Sequence, residues 1–168
     1  VASLLLITAR CSLAAEVSDW RSWRGERGHG SVEAGRFPTV FGAEKYHWRT
    51  TLTGKGCSTP IVLDGQIWVT APVDGQDGLL RLDLAGRETA RTVFGKENPG
   101  KHRNGSGCNP SPVTDGKAIF VNFKSGTLAA VELDGQVRWK TDLVERFGKD
   151  TLFWDHGTSP VLTEKHVV

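Results

Sequence analysis

Three stretches of this 168-residue chain repeat one another, and no other feature restricts its fold as strongly. Cys57-Ser58-Thr59-Pro60-Ile61-Val62-Leu63-Asp64-Gly65 leads into Gln66-Ile67-Trp68-Val69-Thr70. Asn109-Pro110-Ser111-Pro112-Val113-Thr114-Asp115-Gly116 leads into Lys117-Ala118-Ile119-Phe120-Val121. Gly157-Thr158-Ser159-Pro160-Val161-Leu162-Thr163-Glu164 leads into Lys165-His166-Val167-Val168. The anchoring prolines Pro60, Pro112 and Pro160 lie 52 and 48 residues apart, a spacing that fits a four-stranded sheet per repeat.

Each unit reads as a meander. A short apolar run meets Asp64-Gly65 or Asp115-Gly116, strong hairpin signals, and a second run returns. A looser turn follows at Asp74 to Gly78 or Lys124 to Gly126. Alternating third strands, Leu80 to Leu84 and Leu128 to Leu133, reach Ala85-Gly86 and Asp134-Gly135. The pattern predicts strands near 58–63, 66–71, 79–84 and 88–93, then 111–114, 117–123, 127–133 and 137–141. Twenty glycines agree with so many turns. Leu143 to Phe147 reads as one helical turn, and Trp20 to Lys45 and Gly95 to Gly107 read as loops. The expected class is all-β: a β-propeller fragment of four-stranded antiparallel meander blades.

One offset sharpens this. His47-Trp48-Arg49-Thr50-Thr51-Leu52 matches Arg138-Trp139-Lys140-Thr141-Asp142-Leu143, so a fourth-strand segment precedes the first complete unit. The expected organisation is a closing outer strand at 46–52, blades at 56–94 and 108–143, and the start of another blade at 157–168. Such repeats need neighbours on both sides, so further blades are expected beyond Val168. Residues 1–15, with Leu4-Leu5-Leu6-Ile7 and the small-residue end at Ala15, read as an export signal, and 16–45 as an extended segment. The expected location is periplasmic or extracellular. No later segment approaches the ~20 apolar residues of a membrane span.

The text Ala130-Val131-Glu132-Leu133-Asp134-Gly135-Gln136-Val137-Arg138-Trp139 resembles the tryptophan-docking motif of pyrroloquinoline-quinone (PQQ) propeller repeats. That motif runs Ala-x-Asp-x-x-Thr-Gly-x-x-x-Trp; here it is one residue shorter, with Glu132 for Asp. The shorter form looks like the repeats of non-enzymatic periplasmic propellers, including the lipoprotein of the outer-membrane barrel-assembly machinery. Asp19-Trp20-Arg21-Ser22-Trp23-Arg24-Gly25 resembles the mature start of PQQ-like propellers. The resemblance implies that Trp48 and Trp139 dock blade against blade as buried core residues. The first unit departs from it: Ala90 stands where the docking tryptophan belongs, so that joint is expected to be thinner and filled by Phe94 or a neighbour.

For chemistry, the resemblance raises PQQ with Ca²⁺. Quinoprotein dehydrogenases carry adjacent cysteines, and no Cys-Cys pair occurs here. Phosphate-loop, His-Glu-x-x-His and Gly-x-Ser-x-Gly motifs are also absent. The constellation that stands out is Cys57, Cys108 and His156, at nearly equivalent repeat positions, with His102 and Asp155 nearby. In a propeller these positions face the mouth of the central channel. Three readings stay open: a mixed metal or small-molecule site, a Cys57–Cys108 disulfide between blades, or small rim residues without chemistry. Arg24, Arg27, His29, Lys101, His102 and Arg103 read as solvated loop charge or as a contact for an acidic partner. With 21 basic and 19 acidic side chains, the chain has no footprint for nucleic acid. The expected function is an exported, non-catalytic propeller that binds a protein or small molecule at its face. The alternative is a PQQ-dependent dehydrogenase whose catalytic residues lie in other blades.

Overall fold

The computed structural model describes residues 19–32, 37–42 and 46–168. The export-signal reading of 1–15 lies outside them, as does part of 16–45. Two four-stranded antiparallel sheets follow in chain order, with strand order β1-β2-β3-β4 and β5-β6-β7-β8. The first comprises β1 (Ile61–Leu63), β2 (Gln66–Thr70), β3 (Gln76–Asp83) and β4 (Glu88–Lys96). The second comprises β5 (Val113–Thr114), β6 (Ala118–Asn122), β7 (Thr127–Glu132) and β8 (Val137–Asp142). One helical turn, α1 (Leu143–Phe147), closes the second sheet; Asp142 caps it by accepting from the Val144 and Glu145 amides. This is the meander-per-repeat architecture of propeller blades.

Packing explains why the inner strands β1, β2, β6 and β7 are largely apolar, while the outer strands β4 and β8 carry polar, exposed side chains. Side chains on successive residues point to opposite faces, and here both faces are covered. Trp68, Leu79, Phe94, Ile119, Phe123 and Ala129 belong to one core cluster spanning both sheets. The other face of the first sheet buries Val69, Ala71, Leu80 and Leu82, with Leu52 packed against them. The other face of the second sheet buries Val113, Ala118, Phe120 and Ala130 against Leu162 and Val167 of the third unit. That unit forms a short hairpin: Val161 and Val168 exchange backbone hydrogen bonds at 2.8 Å.

Turn chemistry departs from expectation in two places. The turn read as loose from Asp74 to Gly78 is tight. Val73 and Gln76 bridge, Asp74 and Gly75 take φ of 50° and 75°, and β3 begins at Gln76. This paired positive φ is the hairpin geometry of Asp64-Gly65. Asp115-Gly116 is instead part of a three-residue connection, because the Asp115 carboxylate accepts from the Lys117 and Ala118 amides.

Within the described residues, Trp48 is 40% exposed and Trp139 is 38% exposed. Trp48 lies on the β3–β4 turn, with Nε1 donating to the Leu84 carbonyl at 2.7 Å. A Cβ on Gly86 would stand 2.4 Å from the Trp48 ring, so only glycine permits that seat. Thr50 donates to the Gly86 carbonyl beside it. Residues 46–52 have no strand partner in the described structure; they reach the first sheet through these side chains and Leu52. Trp139 meets Phe120, ring centroids 6.2 Å apart.

Candidate functional site

The repeat signature Ser/Thr-Pro has a structural purpose that the prolines alone do not reveal. The Thr59 amide donates to Ser111 Oγ at 2.9 Å, and the Ser111 amide donates to Ser159 Oγ at 2.9 Å. The residue before Pro60 and the residue before Pro112 therefore each reach the same position one repeat later. Proline holds its predecessor extended, which points that amide along the row. The result is a hydroxyl relay across three units where their first strands begin.

A second connection crosses the same edges. Trp20 exchanges backbone hydrogen bonds with Val62 at 2.9 Å, and the Thr114 amide donates to the Arg21 carbonyl at 3.0 Å. This short strap bridges the first strands of both sheets. No repeat signal announces it, since it lies in the stretch read as loop. Between strap and relay opens a cleft of about 1160 Å³, lined by Arg21, Trp23, Arg24, Cys57, Asn109 and Ser159 among others. Arg24 stacks over the Trp23 ring at 4.6 Å.

The loop that joins the two sheets is fixed over this edge at both ends. Asp155, from the lead-in to the third unit, accepts from the Lys101 amide at 2.8 Å, the His102 amide at 3.1 Å and Lys124 Nζ at 2.7 Å. Lys124 and Asp155 side chains are 6% and 7% exposed, so this is a buried ion pair. The backbone amides and the ammonium hold the Asp155 carboxyl well below the usual carboxylate range. A Cβ on Gly105 would fall 2.3 Å from Asp155 Oδ2, so the loop closes on the carboxylate only with glycine there. On the other side, Lys55 Nζ donates to the Arg103 carbonyl at 2.6 Å and Cys57 Sγ to the Asn104 carbonyl at 2.9 Å. Removing one member of such a buried pair costs about 3–5 kcal/mol.

Of the five channel-mouth candidates, three come together around this loop: exposed Cys57, exposed His102 and Asp155. Asp155 receives the His102 amide; the imidazole Nδ1 accepts from the Asn104 amide at 3.3 Å. Two candidates lie elsewhere. Cys108 is 0% exposed within the inter-sheet core, where burial pushes its thiol up to about 12. His156 Nε2 lies 3.0 Å from Asn122 Nδ2 against the second sheet. Both cysteines are free. Among the described residues, no group of three His, Cys, Asp or Glu side chains could hold a metal ion.

These residues do not fit PQQ with Ca²⁺. The one carboxylate lining the cleft is Glu26, and the Asn109 Oδ1 is engaged by the Ser106 amide at 2.9 Å. Hard oxygen donors are too few for calcium, and the two cysteines cannot form an adjacent-cysteine disulfide. No helix of the described residues is long and apolar enough to cross a membrane.

Comparison with solved structures gives the quinohemoprotein alcohol dehydrogenase of Comamonas testosteroni, at 18% identity and a TM-score of 0.50. The match covers 68% of this chain and 17% of that one, so the chain spans about a sixth of its length. That likeness concerns the fold. No curated protein matches. The family model described as outer membrane protein assembly factor BamB matches residues 31–168. The chain therefore belongs to this family of PQQ-like propeller repeat proteins.

Proposed function

We propose that the chain is part of an exported, non-catalytic β-propeller that binds a protein or small molecule at its channel mouth. The observation that carries this is the loop from Asn98 to Gly107. It is held by Asp155, Lys124, Lys55 and Cys57 from three successive units, while the side chains of His102 and Arg103 stay exposed. Recognition surfaces are commonly loops on a rigid scaffold. Here the loop's backbone is fixed and its polar side chains are available. The one exposed thiol among the candidates has a carbonyl as its hydrogen-bond partner, which cannot act as a base toward it.

In this reading, residues 46–52 stand in for the outer strand of the blade that precedes the first sheet. Thr50 donates to the Gly86 carbonyl, as Thr92 of β4 donates to the Gly135 carbonyl of the next sheet at 2.8 Å. Trp139 would dock in the same way on a further blade. Export is supported by the family description and by the leader-like residues 1–15.

The second reading, a PQQ-dependent dehydrogenase, draws on the solved relative. Its cofactor residues would have to come from other blades. Incubation of the full-length protein with PQQ and Ca²⁺, followed by gel filtration, separates the two. No retained quinone absorbance and no dye-coupled alcohol oxidation is expected. Retained quinone with alcohol oxidation would overturn the non-catalytic reading. A photo-crosslinker on the Cys57 thiol should capture the ligand at the mouth, whereas one placed at Val137 on the outer strand should not.

A further inference from the structure

One buried group has no counterpart in the docking scheme. Asp77 is 0% exposed, and neither carboxylate oxygen has a hydrogen-bond partner. It lies near the start of β3, opposite Gly95 and beside a break in register. Two residues past Gly95, Glu97 opens the channel-mouth loop. Its Oε1 accepts from the Gly107 amide at 3.0 Å, tying the loop's two ends together. Cys108 follows, fully buried and in the electrostatic field of both Asp77 and Glu97.

We propose that Asp77 is a proton-operated latch beneath the channel-mouth loop: protonated, it lets the loop's root pack closed; ionised, it loosens that root.

The groups around Asp77 leave little alternative. From the β4 side comes Glu97, of the same charge sign. From the lead-in to β5 comes the Cys108 thiol, held protonated by burial. From the β6–β7 turn comes Ser125, whose hydroxyl donates to Thr127 Oγ1 at 3.1 Å and also stands close enough to the Asp77 carboxylate to favour its charged form. The neighbouring ammonium of Lys124 is committed to the Pro99 carbonyl and Asp155. Lys96, on β4, is exposed. With no cation against it, an ionised carboxylate in this position is strongly disfavoured. Burial, opposed in part by the Ser125 hydroxyl and reinforced by Glu97, pushes the Asp77 carboxyl up to about 6.

The closed root thus binds the proton more tightly than an open one with an ordinary carboxylate. Closure is strongest below the ordinary carboxylate value and weakens as pH rises toward and through about 6. The proposal holds whichever ligand the mouth takes.

Hydrogen exchange of the full chain tests it. Protection factors of the Gly105, Gly107 and Lys124 amides would be read at pH 5 and pH 7.5, after correction for intrinsic rates. Each of these amides closes the loop or its root. Wild type should lose roughly tenfold protection between the two pH values, and Asp77→Asn should lose none. Glu97→Gln keeps the acceptor for Gly107 and removes the neighbouring charge, so its transition should move to lower pH. That variant carries the test should Asp77→Asn fail to fold. Equal pH dependence in wild type and Asp77→Asn, or an unmoved transition in Glu97→Gln, overturns the latch. So does full recovery of wild-type protection at pH 7.5 on adding 1 mM Ca²⁺, which would make the site a cation site.

Discussion

The first sheet is gripped on its two faces by different means. On one face, residues 46–52 dock through Trp48 and Thr50 onto the turn at Leu84-Ala85-Gly86. On the other, the first sheet docks onto the equivalent turn of the second sheet, Leu133-Asp134-Gly135. There the tryptophan position is Ala90. The guanidinium of Arg81, directly opposite Ala90 in register, donates to the Leu133 carbonyl at 2.8 Å. This is the acceptor position that Leu84 offers to Trp48. The threonine contact is preserved, with Thr92 in place of Thr50. The invariant of the joint is thus the turn carbonyl and its threonine partner. The large donor arrives from either of two adjacent strands. Phe94 contributes deeper in, packing against Phe123 at 5.2 Å.

The difference predicts unequal tolerance at the two turn glycines. Gly86 and Gly135 both hold positive φ, 78° and 97°. An added Cβ would meet the Trp48 ring at 2.4 Å in the first joint, but nothing nearer than Thr92 Oγ1 at 3.5 Å in the second. Gly86→Ala should therefore cost about 3–4 kcal/mol, against about 1 kcal/mol for Gly135→Ala, measured by denaturant unfolding. Equal costs would mean that Trp48 is not seated on the turn. A smaller effect is expected from Trp48→Phe. It keeps an aromatic side chain, though a smaller one, and loses the Nε1 donor to Leu84, at about 1–2 kcal/mol in the same assay.

Most of this scaffold was legible because each strand is bounded by a turn whose chemistry is local. Asp64-Gly65, Ala85-Gly86 and Asp134-Gly135 fix the meanders without reference to anything distant. The turn at Asp74-Gly75 was misplaced because Gln76, Asp77 and Gly78 are poor strand formers in isolation; pairing with β4 overrides that.

At the mouth, the limits are different. Cys57 could be nominated from repeat position, and His102 and Asp155 from lying near such positions in sequence. Their actual linkage runs through backbone amides and carbonyls, which leave no mark on side-chain identity. Arg81 was missed for a related reason: its role depends on the cross-strand neighbour being alanine. The hydroxyl residues before the prolines did carry a signal, since Thr59, Ser111 and Ser159 recur at the repeat spacing. Cys108 and His156 recur nearly in register too, yet a shift of a few residues along the lead-in moves a side chain from rim to core.

The claim that Arg81 substitutes for a docking tryptophan is tested most directly by exchanging the two. Arg81→Ala alone should destabilise by about 1–2 kcal/mol, through the loss of a charge-assisted bond to the Leu133 carbonyl. Adding Ala90→Trp to that variant should recover most of the loss, with a favourable coupling of about 1 kcal/mol in the double-mutant cycle. Simple additivity, with Ala90→Trp giving no recovery in the absence of Arg81, would contradict the account.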